Sequence, residues 1–260
     1  MKSDLIKTLK EGQIITVSLN REHVLNAFNS DMLNILEATL AEIEKDNDIR
    51  VCLFTGTGNR AFSAGGDMKE EERNSPVEEF QMCKIGERVC NRLETLSKPV
   101  IAVINGYALG GGLEIALACD FRVASINAKL GLPEIGYAVT SGWGGSSRLM
   151  RIVGLSKAKE IAFFGAMLNA KQALAIGLID KIFHPKKLLI EAKRMAEILC
   201  EKPPFTLGLL KLMMNQSNNT NLSSGVFMEM ISTSLCYSTE DKKKAFQAFF
   251  NKSKPDFKNK

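Results

Sequence analysis

Residues 99–125 have the sequence PVIAVINGYALGGGLEIALACDFRVAS, and this stretch predicts the fold class. The apolar run at 99–106 predicts a buried strand, residues 111–120 an apolar helix, and residues 121–125 a further strand. Glycine-rich sequence separates the first strand from the helix. A strand, a glycine turn, a helix and a strand in succession are typical of α/β proteins.

The same alternation extends towards the N-terminus. Residues 13–19 are rich in β-branched side chains and predict a strand, and residues 51–56 (VCLFTG) predict a buried one. Between them, Ser30 or Asp31 is expected to cap a helix. The apolar face of that helix has helical spacing and consists of Leu33, Leu36, Leu40 and Ile43. Residues 69–98 predict a polar loop followed by an amphipathic helix.

The last quarter of the chain has a different pattern, in which helix follows helix. Helices are predicted at 187–201, 204–215, 222–236 and 239–251, separated by proline-rich and asparagine-rich segments. We therefore expect an α/β core over residues 1–195 and a C-terminal helical region over residues 196–260.

Composition restricts the class of ligand. The 260 residues are 45% hydrophobic and 24% charged, as in globular proteins, and the net charge is +5. This mild basic excess suits an anionic small molecule that carries phosphates. No dense Lys/Arg stripe with interleaved aromatic residues is present, so a nucleic-acid partner is not expected.

Cysteine use and hydropathy predict a cytoplasmic protein. The six cysteines form no CxxC pair and several lie in apolar runs, which is typical of buried thiols in a reducing compartment. No signal peptide is recognisable at the N-terminus. No stretch approaches 18 consecutive apolar residues, so we expect no membrane span.

Two common kinds of site have little support. Gly56, Gly58 and Ala61 match a dinucleotide-binding pattern, but turn-like sequence follows where a helix would have to begin. The two histidines, His23 and His184, are far apart in sequence, so a histidine triad or a metal cluster is not indicated.

Two glycine clusters are candidates for ligand contact. One includes Gly65 and Gly66, and the other, Gly110–Gly112, directly precedes the apolar helix. The first N–H groups of a helix lack partners within the helix, and they lie at its positive dipole end. Two such groups from separate loops could form an oxyanion hole. Tight packing of a turn against a helix explains the glycines equally well.

Two glutamates favour the functional interpretation. Glu114 lies in the first turn of an otherwise apolar helix, and Glu134 lies in an apolar stretch between Pro133 and Gly136. Carboxylates in apolar surroundings can have different pKa values and divide acid and base roles. A first-turn glutamate that merely complements the helix dipole is the alternative for Glu114.

Together these features resemble the crotonase (enoyl-CoA hydratase/isomerase) family along nearly the whole chain. The matching segments are 26–28 (NAF), 61–69 (AFSAGGDMK), 98–106 (KPVIAVING), 107–114 (YALGGGLE), 118–122 (ACDFR), 132–136 (LPEIG) and 144–149 (GGSSRL). The resemblance implies a spiral of ββα units with a C-terminal helical region that packs trimers, often assembled as hexamers.

The resemblance also implies the substrate and its contacts. An acyl-CoA thioester carbonyl is expected between the amides of Gly66 and Gly111. Coenzyme A, present only as part of the substrate, is expected to contact Lys252 and a set of residues in the segment 64–69. That set is Ala64, Gly66, Asp67, Met68 and Lys69. No metal or redox cofactor is expected.

Both glutamates together favour hydration of a 2-enoyl-CoA to the 3-hydroxyacyl-CoA. By the resemblance, Glu114 activates the water that adds to C3, and Glu134 supplies the proton to C2. Trp143, followed by two glycines, also resembles family members that decarboxylate methylmalonyl- or ethylmalonyl-CoA. The ring is expected near the acyl pocket or in the core. Double-bond isomerisation and a non-catalytic acyl-CoA or RNA-binding scaffold are further alternatives.

Overall fold

The structure is a computed structural model that describes residues 4–258. The strands are β1 (Ile6–Glu11), β2 (Ile14–Leu19), β3 (Val51–Gly56), β4 (Ala61–Ser63), β5 (Val100–Ile104), β6 (Tyr107–Leu109), β7 (Phe121–Ser125), β8 (Lys129–Gly131), β9 (Leu168–Asn169) and β10 (Lys181–Phe183). The helices are α1 (Ser30–Lys45), α2 (Met68–Glu71), α3 (Pro76–Thr95), α4 (Gly111–Leu117), α5 (Gly145–Val153), α6 (Leu155–Phe163), α7 (Ala170–Ala175), α8 (Pro185–Cys200), α9 (Pro204–Ser217), α10 (Leu222–Tyr237) and α11 (Glu240–Phe250).

The strands form two sheets that the chain visits in turn. The six-stranded sheet has the order β1-β2-β3-β5-β7-β10, and the four-stranded sheet has the order β4-β6-β8-β9. Strands β3, β5 and β7 of the first sheet are each followed by a short strand of the second, and a helix then returns the chain. This repeated ββα unit confirms the predicted α/β spiral.

The second sheet was not predicted from the pattern of the sequence. Strands β4, β6 and β8 have three residues each, and β4 pairs with β6, and β6 with β8, in parallel. Three residues are too few to show an alternating pattern. The N-terminal strand β1, which pairs antiparallel with β2, was not predicted either.

The expected cap of the first helix is wrong by one residue. Asn29 is the N-cap of α1, and its side chain accepts a hydrogen bond from the amide of Met32 at 3.0 Å. Ser30 is the first helical residue, and its hydroxyl donates to the Glu70 carboxylate. Asn, Asp and Ser are similarly good caps, so three consecutive candidates could not be ranked from sequence. The predicted apolar face of α1 is buried.

The hydrophobic core has two parts. The larger part fills the space between the sheets and helices α1, α3 and α4. The smaller part lies on the other face of the main sheet, where α8 covers β3, β5 and β7. Helix α8 spans the expected boundary at residue 195 and packs on the main sheet on both sides of that boundary. The first helix of the helical region is therefore part of the core.

The predicted C-terminal helices are present as α8 to α11. Helix α9 has no buried residue, and in α10 only Gly225 is buried. Many of their apolar side chains are exposed in the single chain. Within residues 4–258, none of the helices combines the length and the apolar character needed to cross a lipid bilayer.

Candidate active site

The two glycine clusters meet because β4 and β6 are parallel neighbours. The segment after β4 lies against the segment after β6 at the same end of the sheet. Gly65 has a φ of +105°, and a Cβ placed on it would lie 2.9 Å from the Leu109 carbonyl oxygen and 3.3 Å from the Gly111 amide nitrogen. Only glycine tolerates both the backbone conformation and this close approach.

The turn that contains Gly66 is held in place from the neighbouring segment. The amide of Phe28 donates to the Gly65 carbonyl at 2.8 Å, and the amide of Asp67 donates to the Phe28 carbonyl at 2.7 Å. Within the described chain, neither the Gly66 amide nor the Gly111 amide donates a hydrogen bond to another protein group. Two neighbouring segments therefore each carry an N–H group that has no acceptor among the described residues.

Glu114 lies in the first turn of α4 and is 2% exposed. Its Oε1 accepts hydrogen bonds from the amides of Trp143 at 2.8 Å and Gly145 at 2.7 Å. Burial raises the pKa of Glu114 to about 7, against the opposing effect of these two amides, and the charge of Glu134 raises it further. Glu114 can therefore gain or lose a proton near neutral pH.

Glu134 opens a 3-10 turn, Glu134–Tyr137, directly after Pro133. Its Oε1 lies 3.6 Å from the position that a Cβ on Gly110 would occupy, so the carboxylate faces the N-terminal end of α4. Both carboxylate oxygens are buried, and neither has a hydrogen-bond partner within residues 4–258. Burial raises the pKa of this group as well. Buried carboxylate oxygens require partners, which water or a substrate can supply.

Trp143 is a core residue and is 4% exposed. Its indole packs so closely against Gly86 of α3 and Gly111 of α4 that a Cβ on either glycine would overlap the ring. The ring also makes an edge-to-face contact with Phe28 at a centroid distance of 5.5 Å. The backbone amide of Trp143, rather than its ring, contacts the Glu114 carboxylate.

Arg148 of α5 supports the loop that holds Glu114, a role that sequence reasoning did not assign. Its guanidinium donates to both carboxylate oxygens of Glu94, at 2.7 and 3.0 Å, and to the Trp143 carbonyl oxygen at 2.6 Å. Its positive charge lowers the pKa of Glu114, against the larger effect of burial. The only signal in the sequence was the position of Arg148 in a segment that resembles the family.

The residues expected to contact coenzyme A have different surroundings. Asp67 caps α2 through the amide of Lys69 at 3.1 Å and forms an ion pair with Arg21 at 2.8 Å. The side chain of Met68 and that of Lys69 are exposed. Lys252 follows α11, and no hydrogen bond or ion pair joins it to the segment 64–69 in the part of the chain that the structure describes.

Comparison with known proteins gives concordant results. A family model described as enoyl-CoA hydratase/isomerase matches residues 10–260. The short-chain-enoyl-CoA hydratase of Clostridium acetobutylicum is 40% identical over 251 residues, which cover 96% of each chain. The crotonyl-CoA hydratase of Syntrophomonas wolfei is 36% identical over 248 residues, 95% of each chain.

The fold agrees with a solved structure of the same kind. The crystal structure of enoyl-CoA hydratase from Bacillus anthracis superposes with a TM-score of 0.96 at 33% identity, covering 98% of this chain and 100% of the other. The likeness therefore extends over the α/β core and the C-terminal helices together.

Proposed function

The chain belongs to the enoyl-CoA hydratase/isomerase family, and we propose that it adds water across the C2–C3 double bond of a 2-enoyl-CoA thioester to give the 3-hydroxyacyl-CoA. The hydratases to which it is similar support this reaction. The observation that carries the proposal is a pair of glutamates with buried carboxylates near α4, together with two amides that lack acceptors among the described residues. Neither carboxylate oxygen of Glu134 has a protein partner within residues 4–258.

The amides of Gly66 and Gly111 act on the thioester carbonyl. Attack of water at C3 moves electron density through C2 to this oxygen, which becomes enolate-like. Each donor aimed at such a developing charge contributes about 3 to 4 kcal/mol to the stabilisation of the transition state. Because neither amide donates to the protein, both are available for the substrate.

The two glutamates divide the proton transfers. Glu114 is fixed by the amide bonds to its Oε1, and its Oε2 has no hydrogen-bond donor among the described residues. In its ionised form it accepts a proton from the water that attacks C3. Protonated Glu134 then donates a proton to C2. The addition of H and OH leaves no net oxidation or reduction, so the step requires no redox cofactor.

Replacement of Glu134 tests the proposal. Glu134→Gln keeps the shape of the side chain but cannot donate an acidic proton, and we expect kcat for crotonyl-CoA hydration to fall by about 10²- to 10⁴-fold. Loss of absorbance of the conjugated thioester measures the rate. Glu42→Gln, which changes an exposed glutamate of α1, is the matched control and should retain wild-type activity. Full activity of Glu134→Gln would refute the assignment.

Decarboxylation is the second candidate, because Trp143 is followed by two glycines as in the decarboxylases that this segment resembles. A decarboxylase would use the same two amides without a nucleophilic water. Release of CO₂ from ethylmalonyl-CoA, with no hydration of crotonyl-CoA, would favour it. The buried Trp143 ring gives this reaction no additional support.

We further propose that residues 64–69 and Lys252 contact coenzyme A, and that the chain acts in fatty acid metabolism in the cytoplasm as a homotrimer or homohexamer. All six cysteines are free thiols, which suits a reducing compartment. The apolar surface of the C-terminal helices supports association with further copies.

A further inference from the structure

A third carboxylate, that of Glu71, borders the candidate active site. Glu71 ends the short helix α2, whose N-cap is Asp67. Helical side chains are tilted towards the helix N-terminus, so the side chain of Glu71 extends back towards Gly66. A Cβ placed on Gly66 would overlap Oε1 of Glu71. The carboxylate therefore lies in contact with the residue whose amide is proposed to bind the thioester oxygen.

The surroundings of Glu71 are acidic. Burial raises its pKa, and the charges of Glu79, Asp67, Glu70 and Glu134 raise it further. Within the described residues, no ion pair or hydrogen bond engages the Glu71 carboxylate. An additional negative charge brought to this position by a substrate would add to the repulsion, with little screening by solvent.

We propose that Glu71 is a specificity-determining residue that makes the enzyme discriminate against 2-enoyl-CoA thioesters whose acyl group ends in a carboxylate. This inference rests on the proposed hydratase function. The acyl group is bonded to the thioester carbon, so it must pass the residues that surround Gly66. A carboxylate on the acyl chain would lie within several ångströms of Glu71, whereas a methyl group would meet no charge.

Two substrates of equal chain length separate charge from size. trans-2-Pentenoyl-CoA ends in a methyl group, and glutaconyl-CoA ends in a carboxylate. We expect the wild-type enzyme to prefer pentenoyl-CoA in kcat/KM by about 10- to 100-fold, the range expected for like charges several ångströms apart near a protein surface. In Glu71→Gln this ratio should fall by about tenfold, and in Glu71→Lys it should fall further.

Glu72→Gln is the matched control, because Glu72 is the next residue and its side chain is exposed. We expect it to keep the wild-type selectivity. A selectivity ratio that is the same in wild type, Glu71→Gln and Glu71→Lys would overturn the role of Glu71 and leave the hydratase proposal intact. If the wild-type enzyme hydrates neither ester, the hydratase proposal itself fails. Because the ratio compares two substrates on one preparation, partial misfolding of a variant does not alter it.

Discussion

The ionisation of Glu114 is the residue-level property that we expect to set the pH dependence of the reaction. Its pKa is raised to about 7, mainly by burial. Glu114 must be ionised to accept a proton from water, and Glu134 must be protonated to donate one, so kcat/KM for crotonyl-CoA should show a bell-shaped dependence on pH. On the acid limb the slope should approach tenfold per pH unit. A rate that does not change with pH on either side of neutrality would contradict the division of roles between the two glutamates.

The same raised pKa predicts a cost in stability. The folded protein binds the Glu114 proton more tightly than the unfolded chain, whose pKa is 4.5. The contribution of Glu114 to stability is therefore greatest below pH 4.5, and it falls until the pH passes about 7. Glu114→Gln removes the charge. The free energy of unfolding of this variant minus that of the wild type should therefore be about 2 to 3 kcal/mol larger at pH 8 than at pH 5.

Denaturant unfolding of wild type and Glu114→Gln at both pH values measures this difference. Glu42→Gln controls for the loss of an exposed carboxylate and should follow the wild type at each pH. An equal stability difference between wild type and Glu114→Gln at pH 5 and pH 8 would show that Glu114 is not titrating as its burial requires.

At the scale of elements, the contact between α3, α5 and the loop after residue 142 positions Glu114. Arg148 joins Glu94 of α3 to the Trp143 carbonyl. In Arg148→Met the loop loses this support, and Glu114 loses a charge that lowers its pKa. We expect kcat to fall by about 10- to 100-fold and the acid limb of the pH profile to move to higher pH.

Two further variants distinguish positioning from general loss of structure. Arg148→Lys keeps the charge and should restore the position of the acid limb. Arg151→Met changes the next arginine of α5, which is exposed and bonds to Ser147 and Asn219, so it should leave the profile unchanged. An acid limb that stays in place in Arg148→Met would assign Arg148 a purely structural role.

At the scale of the whole molecule, the C-terminal helices leave an apolar surface that a single chain does not cover. Phe227 and Met230 of α10 are 59% and 57% exposed and are three residues apart, so they share one face of the helix. We expect native mass spectrometry to find three or six copies of the chain. Phe227→Glu combined with Met230→Glu should reduce the assembly to smaller species.

Leu9→Glu is the control for that change, since Leu9 is similarly exposed but lies on β1, in the predicted core region. It should leave the mass of the assembly unchanged. A wild-type protein that remains a monomer at micromolar concentration would refute the predicted trimer or hexamer.

Features that depend on near neighbours in the chain could be predicted from the amino-acid sequence alone. Helical and strand patterns in the sequence predicted α1, the strands β2, β3, β5 and β7, and the four C-terminal helices. Glycines at the start of α4, and a glutamate in an apolar helix, indicated where a ligand would meet the backbone. These features could be predicted because a period or a cap involves residues only a few positions apart.

Which of these groups lie next to one another depends on how the elements pack in three dimensions. The strands of the second sheet are too short to predict, yet the pairing of β4 with β6 brings Gly65 next to Gly111. Arg148 and its partner Glu94 are 54 residues apart in sequence. The contact of Glu71 with Gly66 depends on the direction of a single helical turn. Such contacts follow from how the ββα units stack, and local patterns in the sequence do not encode that stacking.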